Sequence, residues 1–252
     1  MNQTEKAKRF AELHINGAPL LLYNAWDAGS AKSILQAGAR AIATSSWSVA
    51  EAHGYRDGEA IPIEFVERII GRIAATAEVP VTVDFEGGYS EDDDKLADNV
   101  LGLLNLGVIG INFEDRVVKG AGLYEIERQA QRIAAMRRTA DQKGIGLFIN
   151  ARTDLFLGQS GHPAWTVGAA TDRAKAYAAA GASGFFIPGL TDDAAIGRIC
   201  EKATVPVNVM IMDGIPSVAR LIELGVSRIS YGPIPYIHTM RMLEQEAKKV
   251  LS

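Results

Sequence analysis

The chain has 252 residues, of which 48% are hydrophobic and 22% charged, and its 26 Lys and Arg residues nearly balance 30 Asp and Glu residues. These proportions are typical of a globular protein and exclude a strongly basic surface that would gather nucleic acid. No run of eighteen apolar residues occurs, and residues 1–18 lack the apolar stretch of a secretory signal. We therefore expect a cytoplasmic protein that binds neither nucleic acid nor membranes.

Eight short apolar segments rich in β-branched residues recur about every thirty residues along the chain. They lie at 19–25, 40–46, 79–86, 108–115, 146–154, 184–189, 205–211 and 227–233. Segments with helical apolar spacing separate them. Buried strands that alternate with helices pair in parallel, and eight such units in this length favour closure. We predict an α/β fold: a single (β/α)8 TIM-type barrel domain over residues 1–252, with residues 235–251 as its eighth helix.

Carboxylates follow the third and fourth predicted strands. Asp84 and Glu86 stand two residues apart at the end of the third strand, so their side chains are expected on one side. Glu114 ends the fourth strand and can join them at the barrel mouth, where the active sites of such barrels lie. Like charges this close need a cation, and oxygen-only ligands favour Mg²⁺, or Mn²⁺ in its place. The alternative is that each acid caps the helix that follows it.

Zinc is disfavoured at this mouth, because zinc sites in proteins use mainly Cys and His ligands. The only cysteine, Cys200, lies in a helical segment. None of the four histidines falls on a predicted strand end; they are His14, His53, His162 and His238. The sequence therefore predicts a hard cation rather than zinc.

Arg152 lies near the end of the fifth predicted strand and is expected to point inward beside the acids. Its planar guanidinium suits a substrate carboxylate or phosphonate. In the alternative interpretation, Arg152 only neutralises Glu114 or Asp154.

The second predicted strand ends in small hydroxyl residues followed by an indole, at Ser45, Ser46 and Trp47. Hydroxyls and backbone N–H groups here could hold an oxyanion, and the indole could form a wall of the pocket. The alternative is a Ser cap on the next helix.

Six motifs in chain order resemble those of the isocitrate lyase/phosphoenolpyruvate mutase superfamily. They are YNAWDAGSA (23–31), SS (45–46), RD (56–57), VDFEGGYS (83–90), GINFED (110–115) and ARTD (151–154). The resemblance implies a barrel that binds Mg²⁺ through four acids: Asp57, Asp84, Glu86 and Glu114. It also implies that a 2-oxo acid or its enolate lies against the Ser45-Ser46 turn, with Arg152 on its carboxylate.

Further substrate contacts follow from the same resemblance. Asn208 looks like the strand-seven asparagine that contacts substrate in several members. The full set of candidate substrate-binding residues is Tyr23, Ser45, Ser46, Trp47, Arg152 and Asn208. Members of the superfamily commonly form tetramers in which the eighth helix packs on a neighbouring barrel, so we expect a homodimer or homotetramer.

Two departures from the superfamily pattern argue against the usual isocitrate or methylisocitrate lyase. The isocitrate and methylisocitrate lyases carry a Cys and a His in the loop after the fourth strand, whereas residues 116–123 read RVVKGAGL here. Their glutamate at the end of the sixth strand is also missing, since residues 187–190 read IPGL. The loop, with glycines at 120 and 122, could still close as a lid, and Lys119 is its one candidate acid or base. The candidate catalytic residues are Ser46, Glu114, Lys119 and Arg152.

The sequence thus predicts a Mg²⁺-dependent, lyase-type enzyme. It would cleave or form a C–C bond next to the pyruvate-like unit of a small 2-oxo or 2-hydroxy acid, through a metal-stabilised enolate. An alternative within the superfamily is a mutase or hydrolase that acts on the P–C bond of phosphonopyruvate-type substrates. Two further alternatives are a catalytically silent barrel that binds a 2-oxo acid, and a phosphate-binding barrel that uses Gly214 and Gly232.

Overall fold

Eight parallel strands form the sheet, and each lies within one of the eight predicted segments. The computed structural model describes residues 1–158 and 164–251, so His162 lies outside the described residues. The strands are β1 Leu20–Leu22, β2 Ile42–Ala43, β3 Val81–Asp84, β4 Gly110–Glu114, β5 Phe148–Arg152, β6 Gly184–Phe186, β7 Val207–Met210 and β8 Arg228–Ser230.

The sheet closes on itself. Its strand order is β1-β8-β7-β6-β5-β4-β3-β2, which leaves β1 and β2 as the two ends. Ala25, just beyond β1, joins them: its N–H donates to the carbonyl of Ala43 at 2.7 Å, and its carbonyl accepts from Ser45 N–H at 3.3 Å. The predicted barrel is therefore confirmed.

Helices cover the outside of the barrel, and the described ones begin with a helix that precedes β1. They are α1 Gln3–Glu12, α2 Ala28–Gln36, α3 Ser46–Ala52, α4 Ile63–Thr76, α5 Asp93–Asn105, α6 Ile126–Gln142, α7 Ala164–Ala179, α8 Asp193–Lys202, α9 Val218–Glu223 and α10 Ile234–Leu251. None of them is long and apolar enough to cross a bilayer. The expected cytoplasmic location stays a prediction.

The helix α4 shows why these segments fold as they do. Its buried side chains, Val66, Ile69, Ile70 and Ile73, recur at intervals of three and four residues and so form one apolar stripe. Burying each such side chain contributes about 1.5–3 kcal/mol. The stripe therefore holds α4 against the barrel.

The helix α1 lies against the amino-terminal end of the barrel. Phe10 is fully buried, and its ring meets the ring of Phe148 on β5 edge to face, with centroids 5.3 Å apart. Gly110 on β4 leaves room for this ring, since a Cβ there would lie 3.1 Å from it. The aromatic contact packs the amino-terminal end of the barrel and does not involve the carboxyl end, where the active sites of such barrels lie.

Strand register brings the inward-pointing polar residues side by side. Asp84 on β3 pairs with Asn112 on β4, and Asn112 pairs with Asn150 on β5. One step further along, Glu114 pairs with Arg152. Because side chains of a strand alternate between its faces, these residues share the barrel interior.

The next residue after β4 takes the opposite face, as its position predicts. Asp115 is fully buried outside the barrel, between β4 and α7. There it forms an ion pair with Arg173 at 3.1 Å and accepts a hydrogen bond from the Tyr177 hydroxyl at 3.0 Å. Asp115 therefore fastens a helix to the barrel and does not join the acids inside.

The last helix covers little of the barrel. Pro235 is the buried residue of α10, whereas Met242 and Leu243 are 65% and 61% exposed. On the outer face of β1, Leu21 and Tyr23 are 48% and 45% exposed. An apolar helix face and an apolar strand face are thus both left open.

Candidate active site

A cavity of about 160 Å³ opens at the carboxyl ends of the strands. Its lining comes from the ends of β1, β2, β3, β4, β5, β6, β7 and β8 and from the loops that follow them. These residues are Asn24, Ser45, Ser46, Trp47, Asp57, Asp84, Asn112, Arg152, Leu157, Phe186, Pro188, Met210, Ser230, Gly232 and Pro233. Six of the residues predicted for the site line it: Ser45, Ser46, Trp47, Asp57, Asp84 and Arg152.

Asp84 lies at the centre of the polar side. Its Oδ2 accepts hydrogen bonds from the backbone N–H of Ser46 at 3.1 Å and from its hydroxyl at 2.9 Å. Its Oδ1 lies 3.4 Å from Nδ2 of Asn112. The carboxylate is therefore held by Ser46, which follows β2, and by Asn112 on β4, and these are the strands on either side of β3.

The two serines that follow β2 have different hydrogen-bond partners. Ser45 caps α3, since its side chain accepts a hydrogen bond from the N–H of Ser48 at 3.3 Å. The capping alternative is thus right for Ser45. Ser46, the first residue of α3, instead turns its hydroxyl to Asp84.

Glu86 does not line this cavity, but lies in an adjoining one with Ser46 and Asp84, and a loop rather than the predicted strand positions it. The strand β3 ends at Asp84, and Glu86 follows in a left-handed conformation with φ of 50°, so strand alternation does not set its direction. Its Oε2 accepts from the N–H groups of Gly58 and Glu59 at 2.9 and 2.8 Å, and its Oε1 accepts from the Tyr89 hydroxyl at 3.1 Å. These bonds dock the loop after α3 onto the loop after β3.

That docking brings Asp57 to the cavity. Burial of its carboxyl and the nearby charge of Asp84 raise the pKa of Asp57. Burial, together with Asp57 and Asp84, raises the pKa of Glu86 to about 7. The acids therefore lie close enough to repel one another.

Arg152 is held between two acids. Its Nη1 lies 2.9 Å from Oε2 of Glu114, while Nε and Nη2 donate to the two oxygens of Asp154 at 2.6 and 3.0 Å. Burial lowers the pKa of Arg152, but the two carboxylates outweigh it and raise that pKa. Burial in turn raises the pKa of Glu114, and Arg152 opposes this rise. The arginine thus neutralises both acids, as the alternative interpretation held, and still lines the cavity.

The donor set fits a hydrated Mg²⁺ ion. Of the four predicted acids, Asp57 and Asp84 line the cavity together with Arg152. Glu86 and Glu114 do not line it, but the charge of Asp84 helps to raise the pKa of both. All four acids are oxygen ligands of the kind that Mg²⁺ prefers. In the described part of the chain no three His, Cys, Asp or Glu side chains converge closely enough to bind a metal ion directly. A site here would therefore use one direct carboxylate and reach the other acids through water, which suits Mg²⁺ because it keeps several of its waters.

Lys119 lies away from the cavity. It is exposed on the loop after β4 and lines a smaller cavity of about 100 Å³ with Glu59, Tyr124 and Arg132. The loop is folded back on itself, because Val117 N–H donates to the carbonyl of Gly122 at 3.0 Å. The catalytic role of Lys119 therefore stays a prediction, and it requires the loop to move toward the cavity.

Two predicted substrate contacts do not line the cavity either. Tyr23 lies on the outer face of β1, where its ring packs 5.3 Å from that of Tyr231. Strand alternation explains this, since Leu20 and Leu22 point inward and Leu21 and Tyr23 point outward. Asn208 is fully buried inside the barrel, 3.3 Å from the Ser230 hydroxyl. The expectation that Tyr23 contacts substrate finds no support in this geometry.

Several residues that line the cavity are not among those predicted. Asn24 ties three strand ends together: its Nδ2 donates to the carbonyl of Thr44 at 2.7 Å, and its Oδ1 accepts from the N–H of Gly232 at 2.9 Å. Counting alternation forward from Leu22 would have found it. The apolar lining residues carry no such signal, because an apolar side chain at a strand end looks like core; they are Leu157, Phe186, Pro188, Met210 and Pro233.

Three comparisons relate the chain to known proteins. A crystal structure of a Burkholderia cenocepacia J2315 protein described as a phosphonomutase has a TM-score of 0.94 at 44% sequence identity and covers 97% of this chain and 99% of that one. An uncharacterised protein of Mycobacterium tuberculosis is 34% identical over 228 residues, which are 90% of this chain and 83% of the relative. The 2-methylisocitrate lyase of Salmonella typhimurium is 28% identical over 242 residues, 92% of this chain and 79% of the lyase.

A family model agrees with these relatives. The model described as phosphoenolpyruvate phosphomutase matches residues 10–251, which is nearly the whole barrel. The resemblance carried by the six sequence motifs is thereby confirmed. The chain belongs to the phosphoenolpyruvate phosphomutase family, within the superfamily that also contains isocitrate lyase.

Proposed function

We propose that the chain is a Mg²⁺-dependent lyase that cleaves or forms a C–C bond next to the pyruvate-like unit of a small 2-oxo or 2-hydroxy acid. The observation that carries the proposal is that Asp84, with other acids around it, lines the same cavity as Arg152. Named relatives support the class, since 2-methylisocitrate lyase acts on a small acid. Bound Mg²⁺ supplies a Lewis acid for the oxygens of such a substrate.

Arg152 is the residue proposed to bind the substrate carboxylate. A guanidinium has five N–H groups, and Glu114 and Asp154 take three of them, which leaves two for a ligand. The two acids fix the side chain before the substrate arrives, so binding costs little side-chain entropy. Arg152 would thereby orient the bond that breaks.

The two sides of the cavity differ in polarity. Ser46 follows β2 and Asp84 ends the neighbouring strand β3, whereas Phe186 and Pro188 lie at the end of β6, across the barrel. The apolar side would exclude water from the carbanion-like carbon that forms when the bond breaks. We propose Ser46, Glu114 and Lys119 as the groups that hold or move protons. Lys119 would do so only after its loop closes over the cavity.

The test is a screen of small 2-oxo and 2-hydroxy acids for pyruvate release, with and without EDTA. We expect release from at least one compound, lost in EDTA and restored by excess Mg²⁺. Turnover that is unaffected by EDTA would sink the proposal of a metal-dependent reaction.

A second candidate function is cleavage or rearrangement of a P–C bond. It is favoured by the 44% identical Burkholderia cenocepacia protein, which is described as a phosphonomutase. Incubation with phosphonopyruvate, followed by ³¹P NMR, distinguishes the two: loss of the phosphonate signal would favour P–C chemistry. A barrel that binds a 2-oxo acid without turnover would show ligand affinity in both assays and product in neither.

We also propose that the chain forms a homodimer or homotetramer through α10. Its exposed apolar residues, Met242 and Leu243, have no cover among the described residues, and a groove of about 660 Å³ on the outer face of β1 is lined by Leu21 and Tyr23. The helix of one subunit would fill this groove on a neighbour. A monomer in sedimentation at micromolar concentration would refute this assembly.

A further inference from the structure

A guanidinium is buried inside the barrel beneath the acids. Arg228 on β8 is 1% exposed, and its Nη2 donates to Oδ1 of Asn112 at 2.9 Å. Within residues 1–158 and 164–251 no carboxylate forms an ion pair with it, and its Nε and Nη1 have no hydrogen-bond acceptor. Burial lowers the pKa of Arg228 to about 9, and the charge of Asp84 opposes this fall, so it stays cationic at neutral pH.

The contact with Arg228 decides how the Asn112 amide is turned. The oxygen of that amide accepts from Arg228 Nη2 and also from Asn150 Nδ2, both at 2.9 Å. If the amide were reversed, its NH₂ group would face two donors. With the oxygen held, the NH₂ group points to Oδ1 of Asp84, 3.4 Å away.

A side chain that only fills the core would not need to be charged. Apolar side chains fill barrel interiors without cost, whereas a buried guanidinium with unpaired N–H groups is unfavourable. The Cζ of Arg228 also lies 5.9 Å from the centroid of the Phe10 ring. An aliphatic side chain could pack against this ring in its place. The charge of Arg228 and its donor toward Asn112 are what distinguish it.

We propose that Arg228 is a positioning residue for the metal-binding carboxylate of Asp84. It acts through Asn112, whose amide oxygen it holds so that the amide NH₂ group points to Asp84. The Asp84 carboxylate is then oriented before a metal ion arrives. The inference rests on the proposed function, because it takes Asp84 as a ligand of the metal.

The experiment measures Mn²⁺ binding to the full chain from the EPR signal of free Mn²⁺. Groups that orient metal ligands typically change metal affinity about 10–100-fold when removed. We expect Arg228→Met to weaken Mn²⁺ binding at least about tenfold, which is the lower end of that range. Arg228→Lys, which keeps a charge and a donor for Asn112, should recover most of the affinity.

Arg137→Met provides the matched control. Arg137 on α6 is half-buried, and it donates to the carbonyls of Leu147 and Gly181, outside the barrel and away from Asp84. We expect this variant to lower the melting temperature and to bind Mn²⁺ as the unmodified protein does. A folded Arg228→Met variant with unchanged Mn²⁺ affinity would overturn the inference.

A measurement on the unmodified protein covers the case in which Arg228→Met does not fold. In ¹H–¹⁵N spectra, the Asn112 side-chain amide and the Arg228 Nε–H should both shift on addition of Mg²⁺, while the Asn99 side-chain amide, bonded to the carbonyl of Gly88, should not. No shift at either of the first two groups contradicts the inference. Unmodified protein that binds no Mn²⁺ at all instead overturns the proposed function, so the two failures are distinguishable.

Discussion

Arg152 and Glu114 occupy paired positions on β5 and β4, and Nη1 of the arginine lies 2.9 Å from Oε2 of the glutamate. Asp154 holds the other edge of the same guanidinium. One side chain thus joins two buried acids and still faces the cavity, so the same residue balances the charge of the site and is available to a substrate.

Replacing Arg152 tests this double role. We expect Arg152→Lys to lower kcat/KM about 100-fold, on the order of 3 kcal/mol, because one ammonium group cannot bond two carboxylates and a substrate together. Steady-state kinetics with the substrate found in the screen measure the change. Arg128→Lys, in the partly exposed pair with Asp93, is the control and should leave kcat/KM unaltered. Full activity in Arg152→Lys would show that the substrate carboxylate binds elsewhere.

Replacing Lys119 tests whether the loop at residues 116–123, which lacks the Cys and His of the lyases, takes part in catalysis. If Lys119 transfers a proton after the loop closes, Lys119→Met should lower kcat about 100-fold, the lower range for general acid–base catalysis, with little change in the melting temperature. Lys143→Met, at the end of α6 and far from the loop, is the matched control. Activity equal to that of the unmodified chain would remove Lys119 from the mechanism and leave Glu114 and Ser46 as the candidates.

The pH dependence of stability should report His14. Burial, and then the charge of Arg228, lower the pKa of its imidazole to about 3, from 6.5 when unfolded. The folded state therefore binds fewer protons than the unfolded state between these values. The contribution of neutral His14 to the free energy of unfolding is complete above pH 6.5. It is lost as the pH falls toward 3, by on the order of 1 kcal/mol per pH unit.

Urea unfolding between pH 7 and pH 4.5 measures this loss. In His14→Phe the ring can still stack on Phe148, whose centroid lies 4.1 Å from the imidazole, but it cannot be protonated. We expect a shallower decline of the unfolding free energy for this variant. Identical slopes for the two proteins would assign the acid sensitivity to other groups.

The open face of β1 predicts an effect on assembly. Leu21→Asp places a charge in the groove proposed to receive α10 of a neighbour, and a buried unpaired charge is strongly unfavourable. Sedimentation velocity should therefore show a smaller particle with unchanged secondary structure. Leu101→Asp, at a 36% exposed position on α5, is the control and should keep the original mass. Equal masses for both variants would place the subunit contact elsewhere.

Much of the fold was readable from the sequence because its cause is local. Each strand is a short apolar segment next to a helix with its own apolar stripe, and eight repeats of this pattern leave few other arrangements. Asp84 and Arg152 were readable for the same reason, since both end a strand and alternation directs them inward.

The remaining features depend on contacts that cross the chain. Glu86 follows the end of β3 in a left-handed turn, so its position depends on two N–H groups about thirty residues earlier. Tyr23 was assigned to the site by resemblance, whereas alternation from Leu22 directs it outward. Arg228 gave no signal, because an arginine on a short strand ordinarily suggests an exposed position.

The most direct test of the account is metal dependence of turnover in the unmodified chain and in Asp84→Asn. The unmodified chain should release pyruvate from a small 2-oxo or 2-hydroxy acid, lose this activity in EDTA and regain it with Mg²⁺, while the variant stays folded and inactive at the same Mg²⁺ concentration. Undiminished turnover in EDTA, or by folded Asp84→Asn, would contradict it.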